Sequence, residues 1–252
     1  MPNNGKVSSF QITLIRHGQT VQNSLGIVQG HMDTQLNNIG IEQAQLLASK
    51  IAIDDYQLVY SSDLARAFDT ARQLVCGTKN GFTCEMIRID QRLRERSLGS
   101  CDGKKLKVFL DQCSAANKHP DDFTPEGGQT LNELQIDVVD FIQNRILPDA
   151  VNVMKQSNNG CEIKILIVSH GITIREFIKH LRSFGDNKSW PSSDHVAFTH
   201  SPPNTSASVF RVHIDTTSEQ ISTVECICLH DLSHLEGDLY HDTLNFKRKF
   251  LV

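Results

Sequence analysis

Two residue types suited to phosphate chemistry stand directly after the first apolar run of the chain. The run from Phe10 to Ile15 is followed at once by Arg16, His17 and Gly18. In open α/β sheets ligands bind beyond the carboxyl ends of the strands, so this spacing brings a guanidinium and an imidazole to a place where a ligand could lie. A turn histidine beside a surface ion pair would use the same residues, and so short a motif does not separate the two interpretations.

A second apolar run ends in the same way. Residues 163–168 are followed by Ser169, His170 and Gly171, and then by a helix-like segment. Because the carboxyl ends of parallel strands lie at one edge of a sheet, His17 and His170 meet there if their strands are neighbours. The sequence therefore predicts a pair of histidines at one site.

Two more charged residues are predicted at the same edge. Arg66 lies one turn inside a helix that follows the strand 57–60, and Glu95 follows the strand-like segment 85–90. Taken alone, Arg66 is typical of a solvated helix residue and Glu95 of a surface ion pair. Their positions after successive strands favour a common site instead.

Hydrolysis of a phosphate monoester needs the groups just described. The equatorial oxygens must be neutralised, a nucleophile must be held in line, and the departing oxygen must receive a proton. Arg16 and Arg66 offer planar forks for the oxygens. Nearby cations disfavour the protonated form of a histidine, which leaves His17 as a neutral nucleophile with a free lone pair. Glu95 is then the group left to protonate the leaving alkoxide.

The elements that must position these residues alternate along the chain. We predict strands at 10–15, 57–60, 85–90 and 163–168 and helices at 38–51, 64–76, 104–113 and 130–147. This alternation predicts a three-layer α/β/α sandwich with a mainly parallel central sheet. The pattern Thr130-x-x-Glu133 predicts a capping box at the start of the last helix, and Pro148 is expected to end or kink it. Alternating runs at 206–214 and 222–229 predict a strand pair at the sheet edge.

Length, charge and cysteine usage favour one small intracellular domain. The 252 residues suit a single domain with polar tails at 1–9 and 236–252. The net charge of −4 without a basic stripe disfavours nucleic acid as a partner. Seven scattered cysteines are typical of reduced thiols in the cytoplasm. Neither a signal peptide nor a membrane-length apolar run is found, so we expect no membrane contact, and we expect a monomer.

No metal or organic cofactor is expected. Two arginines and two histidines can supply the electrostatic stabilisation that a magnesium ion would otherwise provide. Cys226, Cys228 and His230 alternate along one predicted strand, with His234 and His241 beyond, which invites a zinc site. Their spacing matches none of the usual paired zinc-ligand signatures, and one buried face of a strand is the simpler interpretation.

Four motifs in order give the chain a family resemblance. They are Arg-His-Gly-x-Thr-x-x-Asn from Arg16, Ser-Ser-x-Leu-x-Arg-Ala from Ser61, Leu-x-Glu-x-x-x-Gly from Leu93, and Ser-His-Gly from Ser169. The chain resembles the histidine phosphatase superfamily, which has the phosphoglycerate-mutase-like fold. The resemblance implies attack by Nε2 of His17 and a phosphohistidine intermediate. It also implies a substrate-binding set, which is Asn23, Gly30, Asn204 and Thr205.

Within the superfamily the chain looks most like the TIGAR-type fructose-2,6-bisphosphatases, through the segments 123–131 and 224–229 and through His234-Leu235. That resemblance implies removal of the 2-phosphate of fructose 2,6-bisphosphate and a role in regulating glycolysis. The alternatives are a cofactor-dependent phosphoglycerate mutase, a phosphatase for bisphosphoglycerate or another phosphoester, and an inactive binding module. Lys104-Lys105-Leu106 stands where mutases carry an Arg-Arg-Ser type segment, which favours a phosphatase. Candidates for holding a second phosphate are Arg94, Lys104, Lys105 and Lys118.

Overall fold

Six strands form one central sheet in the computed structural model, which describes residues 7–76, 83–156, 162–185, 190, 199–237 and 239–240. The strands are β1 (Val7–Arg16), β2 (Leu58–Ser61), β3 (Arg88–Ile89), β4 (Ile163–Ser169), β5 (Ala207–Asp215) and β6 (Gln220–Asp231). Their spatial order is β3-β2-β4-β1-β5-β6. Strands β1 to β4 pair in parallel, and β5 and β6 add an antiparallel hairpin beside β1. The predicted mainly parallel α/β architecture and its edge hairpin are confirmed.

Helices cover both faces of this sheet. They are α1 (Val21–Ser24), α2 (Asn38–Lys50), α3 (Ala65–Val75), α4 (Leu106–Ala115), α5 (Leu131–Phe141), α6 (Leu147–Gln156) and α7 (Gly171–Arg182). Alternate side chains of β1 enter different cores: Phe10, Ile12 and Leu14 pack with α5 and α7, whereas Ile15 packs with α2 and α3. The buried apolar runs found in the sequence therefore belong to strands that are covered on both sides.

Two strand boundaries differ from the sequence prediction. Strand β1 begins at Val7, so residues 7–9, which we predicted to belong to a polar tail, pair with β5. Strand β3 contains only Arg88 and Ile89, because a 3₁₀ turn occupies Cys84–Met86 at the start of the predicted strand.

The helical segment that contains Pro148 is longer than predicted. Its capping box is confirmed, since Thr130 and Glu133 each accept the backbone N–H of the other. The expected end near residue 147 is wrong, because a π-helical turn at Ile142–Ile146 connects α5 to α6 and the segment continues to Gln156. A proline has no N–H and crowds the preceding turn, and the wider turn before Pro148 accommodates this defect.

Several other expectations concern the ends and the thiols. Among the described residues, Cys76, Cys84, Cys101, Cys113 and Cys228 are free thiols. On β6, Cys226 packs against the main core while Ile227 is exposed, which is the alternation of a half-buried strand. His241 and most of the two predicted tails, 1–6 and 241–252, lie outside the described residues. No helix within the described part of the chain has the length and hydropathy to cross a membrane.

Candidate active site

The ends of β1 and β4 bring the two predicted histidines together. Arg16 pairs with Ser169 in register, and the N–H of His17 donates to the carbonyl of Ser169 at 3.0 Å. The rings of His17 and His170 lie 5.1 Å apart between centroids, and both residues are buried. The meeting of these two imidazoles, predicted from strand ends alone, is confirmed.

The hydrogen bond at one ring nitrogen fixes the tautomer of His17. Nδ1 lies 2.7 Å from the carbonyl oxygen of Gly18, which can only accept, so Nδ1 carries the proton and Nε2 keeps its lone pair. Burial, followed by the charges of Arg66 and Arg16, holds the pKa of His17 well below its usual value. His17 is therefore neutral at physiological pH, with Nε2 available as a nucleophile.

Close backbone contacts hold the turn after His17. The N–H of Gly18 donates to the Thr70 hydroxyl of α3 at 2.9 Å. A Cβ on Gly18 would lie 2.5 Å from the carbonyl oxygen of Gly40 in α2, which is closer than real Cβ atoms come. The turn must therefore be glycine for α2 to pack this near to the histidine.

Two arginines, the buried Arg66 and the half-buried Arg16, flank the histidines, and each is oriented by backbone carbonyls. Nη1 of Arg16 donates to Pro202 at 2.6 Å. Arg66 donates from Nη1 to Met32 at 2.7 Å and from Nη2 to Gly30 at 2.9 Å. Burial lowers the pKa of Arg66 to about 10, so the guanidinium is still charged at neutral pH. Both cations are thus fixed in orientation before any ligand arrives.

Several buried polar atoms at this site have no hydrogen-bond partner among the described residues. They are Nε of Arg16, Nε of Arg66, and both ring nitrogens of His170. Burial, followed by the charge of Arg66, holds the pKa of His170 well below its usual value. Unsatisfied buried donors are rare and costly, so a group of them at one place indicates a ligand that carries several acceptor oxygens.

The side chain of Glu95 lies against the first turn of α7, next to the histidine pair. Its carboxylate accepts the backbone N–H groups of Arg96 (2.9 Å), Ile172 (3.1 Å) and Thr173 (3.3 Å). It also lines an inner cavity of about 200 Å³ that contains Arg16 and His17. These backbone donors hold the carboxylate in one place, within the same cavity as the imidazole.

The four residues predicted to bind substrate take different places. Asn23 and Gly30 line the inner cavity, whereas Asn204 and Thr205 are buried beside it and are not among its lining residues. Asn204 donates from Nδ2 to the carbonyl of His17 at 2.8 Å and lies 3.3 Å from Oδ1 of Asn23. Oδ1 of Asn23 also accepts the N–H of Thr20, so Nδ2 is the donor that Asn23 can offer to a ligand.

The candidates for holding a second phosphate line neither the inner cavity nor a second, outer cavity that adjoins it. Arg94 forms a two-point ion pair with Asp63, at 2.7 and 2.5 Å. Lys105 donates to a backbone carbonyl, and Lys104 and Lys118 are exposed. Charge in the sequence indicated these residues, but it did not show which partners would occupy them.

Two arginines that sequence reasoning missed line the cavities instead. Arg96 is fully buried and donates to the carbonyls of Phe123 (2.8 Å) and Gln129 (2.9 Å). Arg175 of α7 lines the outer cavity. One local feature could have pointed to Arg175 as a buried charge: it lies in a helix between Ile174 and Phe177, which are core residues. Within the described part of the chain, no cluster of three or more histidine, cysteine or acidic residues is arranged to hold a metal ion.

Comparisons with known proteins agree with this geometry. The model of the histidine phosphatase superfamily (branch 1) matches residues 12–221. The fructose-2,6-bisphosphatase TIGAR of Mus musculus is 30% identical, with 90% of this chain and 97% of that protein covered. A metal-independent phosphoserine phosphatase of Arabidopsis thaliana is 31% identical, with 66% of each chain covered. The solved structure of mycobacterial hydrolase 2 superimposes with a TM-score of 0.72 at 24% identity and covers 94% of this chain and 97% of its own, which supports the fold. The chain therefore belongs to the histidine phosphatase superfamily, and the activity that this membership supports is that of a phosphoric monoester hydrolase.

Proposed function

We propose that the protein hydrolyses a small phosphoester through a phosphohistidine intermediate on His17. The observation that carries this proposal is the group of unpartnered buried nitrogens on Arg16, Arg66 and His170 around a neutral imidazole. During phosphoryl transfer, three equatorial oxygens surround the phosphorus. These oxygens can accept hydrogen bonds from the unpartnered nitrogens. Fixed donors of this kind stabilise the charge of the transition state without reorganising.

In the first half of the reaction the Nε2 lone pair of His17 attacks phosphorus. An N–P bond forms as the bond between phosphorus and the ester oxygen breaks, and that oxygen takes a proton from the carboxyl group of Glu95. Arg16, Arg66 and His170 bind the equatorial oxygens during transfer, and Asn23 adds an amide donor. The carbonyl of Gly18 keeps the proton on Nδ1, so the lone pair stays on the attacking nitrogen.

In the second half a water molecule replaces the alcohol. Glu95, now ionised, takes a proton from the water while the oxygen attacks phosphorus, and the electron pair of the N–P bond returns to Nε2. Inorganic phosphate leaves and Glu95 again carries its proton. Asn204 and Thr205 act here as positioning residues, because Nδ2 of Asn204 donates to the carbonyl of His17 and the N–H of Thr205 donates to the backbone carbonyl of Arg16 at 3.0 Å.

The similarity to mouse TIGAR over nearly the whole chain supports fructose 2,6-bisphosphate as the substrate and its 2-phosphate as the group removed. Such an enzyme would act in the cytoplasm and regulate glycolysis. The similarity to a plant phosphoserine phosphatase supports a second candidate, which is hydrolysis of another small phosphomonoester. A mutase would have to keep its phosphohistidine from water.

Phosphate release tests the proposal directly. The wild-type protein and a His17→Ala variant are given fructose 2,6-bisphosphate, fructose 1,6-bisphosphate, glycerate phosphates and phosphoserine. His213→Gln, a substitution on the edge hairpin, is the matched control. We expect the highest kcat/KM with fructose 2,6-bisphosphate, no turnover by His17→Ala, and unchanged turnover by the control. A higher kcat/KM with another ester of the panel would replace fructose 2,6-bisphosphate as the proposed substrate and would leave the proposed mechanism unchanged.

Two further readouts separate the chemistry from the substrate. Quenching with base during turnover of ³²P-labelled ester should trap an acid-labile, base-stable label in the wild type but not in His17→Ala. Turnover without any such label would contradict covalent catalysis. With 3-phosphoglycerate and a bisphosphoglycerate primer, isomer formation faster than phosphate release would make the protein a mutase.

A further inference from the structure

The inner cavity opens into an outer cavity of about 440 Å³, with which it shares Arg16, Arg96 and Ile172 among its lining residues. A phosphoester whose phosphoryl group lies against His17 would extend its remaining atoms into this space. The wall of the outer cavity includes Arg175, whose side chain is only 8% exposed, and Asp121. The charge balance of these two residues therefore acts on the distal part of a substrate.

The guanidinium of Arg175 is already bound by other groups of the protein. Nε donates to Glu176 at 2.8 Å, Nη2 donates to Asp121 at 2.7 Å, and Nη1 contacts the carbonyl oxygen of Thr199 at 3.5 Å. Two carboxylates therefore neutralise a cation that lines the outer cavity. Without one of them, an anion in the cavity would meet an incompletely compensated guanidinium.

The two carboxylates are not held equally. Glu176 is buried, and it also accepts from Lys179 at 2.9 Å and from Gln135 at 2.8 Å. The Asp121 side chain is 27% exposed and lies in the irregular segment between α4 and α5. Asp121 itself lines the outer cavity, whereas Glu176 is not among the lining residues. Asp121 is thus the partner of Arg175 that an incoming anion meets.

A carboxylate and a phosphate present similar acceptor oxygens to a guanidinium. We propose that Asp121 is a specificity-determining residue, which occupies the Nη2 side of Arg175 and so weakens, without preventing, the binding of a second anionic group in the outer cavity. It sets how strongly the site distinguishes a bisphosphorylated from a monophosphorylated substrate. This inference rests on the proposed phosphoester hydrolysis but not on the identity of the ester.

Inhibition constants test the inference without knowledge of the natural substrate. Turnover of p-nitrophenyl phosphate is measured with 2,3-bisphosphoglycerate or 3-phosphoglycerate as inhibitor, since these two esters differ by one phosphate. Asp121→Asn keeps the size of the side chain and an acceptor oxygen for Arg175. Asp122→Asn is the matched control, because it removes the same charge from the adjacent, exposed residue.

For Asp121→Asn we expect the inhibition constant of the bisphosphate to fall by about tenfold relative to that of the monophosphate, as one neutralising charge beside a partly buried guanidinium is removed. For Asp122→Asn we expect an unchanged ratio. In an Arg175→Gln background the effect of Asp121→Asn should be clearly smaller, because the cation that the substitution uncovers is absent and only the lost repulsion by Asp121 itself remains. Thermal unfolding checks that each variant is folded, and Asp121→Ala provides a second variant.

Four results would overturn the inference. The ratio of inhibition constants could stay the same in Asp121→Asn and Asp121→Ala, the control could change it equally, or the gain could persist undiminished without Arg175. Failure of either ester to inhibit Asp121→Asn would also overturn it, since the outer cavity would then not be a subsite. A failure of fructose 2,6-bisphosphate as substrate alters none of these constants, so the two proposals fail separately.

Discussion

Replacing Gly30 with alanine tests whether the loop that orients Arg66 is as tightly packed as the structure indicates. Gly30 has φ of +45°, a region that side chains with a Cβ rarely adopt. A Cβ there would lie 2.1 Å from Oδ1 of Asp102. The carbonyl of the same residue accepts from Nη2 of Arg66. Any shift that relieves the clash therefore also displaces an anchor of the buried guanidinium.

The expected magnitude has two parts. The left-handed backbone disfavours alanine by about 1–2 kcal/mol, and overpacking against the carboxylate adds about 1–3 kcal/mol. Gly127→Ala separates them, because Gly127 has φ of +69° and no atom of the described residues lies within 4 Å of its Cβ position. Gly127→Ala should thus lower the free energy of unfolding by about 1–2 kcal/mol, through backbone strain alone.

A double-mutant cycle with Asp102→Ala then isolates the clash. Asp102 accepts the N–H groups of Leu98 at 3.1 Å and His31 at 3.3 Å, so its removal is itself destabilising. In the absence of the carboxylate, Gly30→Ala should be less destabilising by about 1–3 kcal/mol, the overpacking part. Urea unfolding of the four proteins measures this coupling. Additive losses, or a Gly30→Ala variant no less stable than Gly127→Ala, would show that the close approach to Asp102 does not exist.

Three other variants test the site itself. Glu95→Gln should slow phosphoryl transfer from alkyl phosphates to His17 by about 10²–10⁴-fold. The same step with p-nitrophenyl phosphate, measured as the burst of p-nitrophenol, should be nearly unaffected, because a phenolate departs without a proton; equal losses in this step with both esters would remove the role of Glu95 as proton donor. Arg66→Gln should raise the pKa of His17, since the Arg66 charge is, after burial, the largest cause that lowers it, and an unchanged NMR titration of that imidazole would refute this. Burial lowers the pKa of His234 to about 4, so the unfolded chain binds a proton there below about pH 6.5 that the native state does not take up. Stability should therefore fall as pH drops from about 6.5 to 4, by about 2 kcal/mol from this residue after screening, and His234→Gln should show a correspondingly smaller fall; parallel pH profiles would contradict it.

The centre of the site could be predicted from the sequence because the end of a buried strand is marked there by the end of an apolar run. Apolar runs placed His17 and His170 at the ends of two strands, and parallel topology brought those ends together. Arg66 followed from the same argument, since it lies in the first turn of the helix after β2. These inferences need only local periodicity and one rule of sheet topology.

The remainder depends on contacts between distant loops, which have no local pattern. Arg94 was a reasonable candidate for a phosphate until the structure placed it on Asp63, which lies 31 residues earlier. Asp102 contacts Gly30 although it lies 72 residues later in the chain, again between two irregular segments. The π-helical turn before Pro148 was equally unpredictable, because Pro148 disfavours several backbone arrangements and the core selects among them.

The two arginines link the stability of the site to its chemistry. Burial, followed by the charge of Arg66, holds the pKa values of His17 and His170 well below their usual values, which leaves the nucleophile its lone pair. The same burial leaves Nε of both arginines without a partner among the described residues, a state that water or an anion would relieve. Carbonyls from the loops at Gly30 and Pro202 fix these guanidinium groups, so residues far from the nucleophile along the chain determine its electrostatic environment. A substitution in either loop should therefore alter both the charge state of His17 and the affinity for phosphate, even though neither loop supplies an atom that reacts.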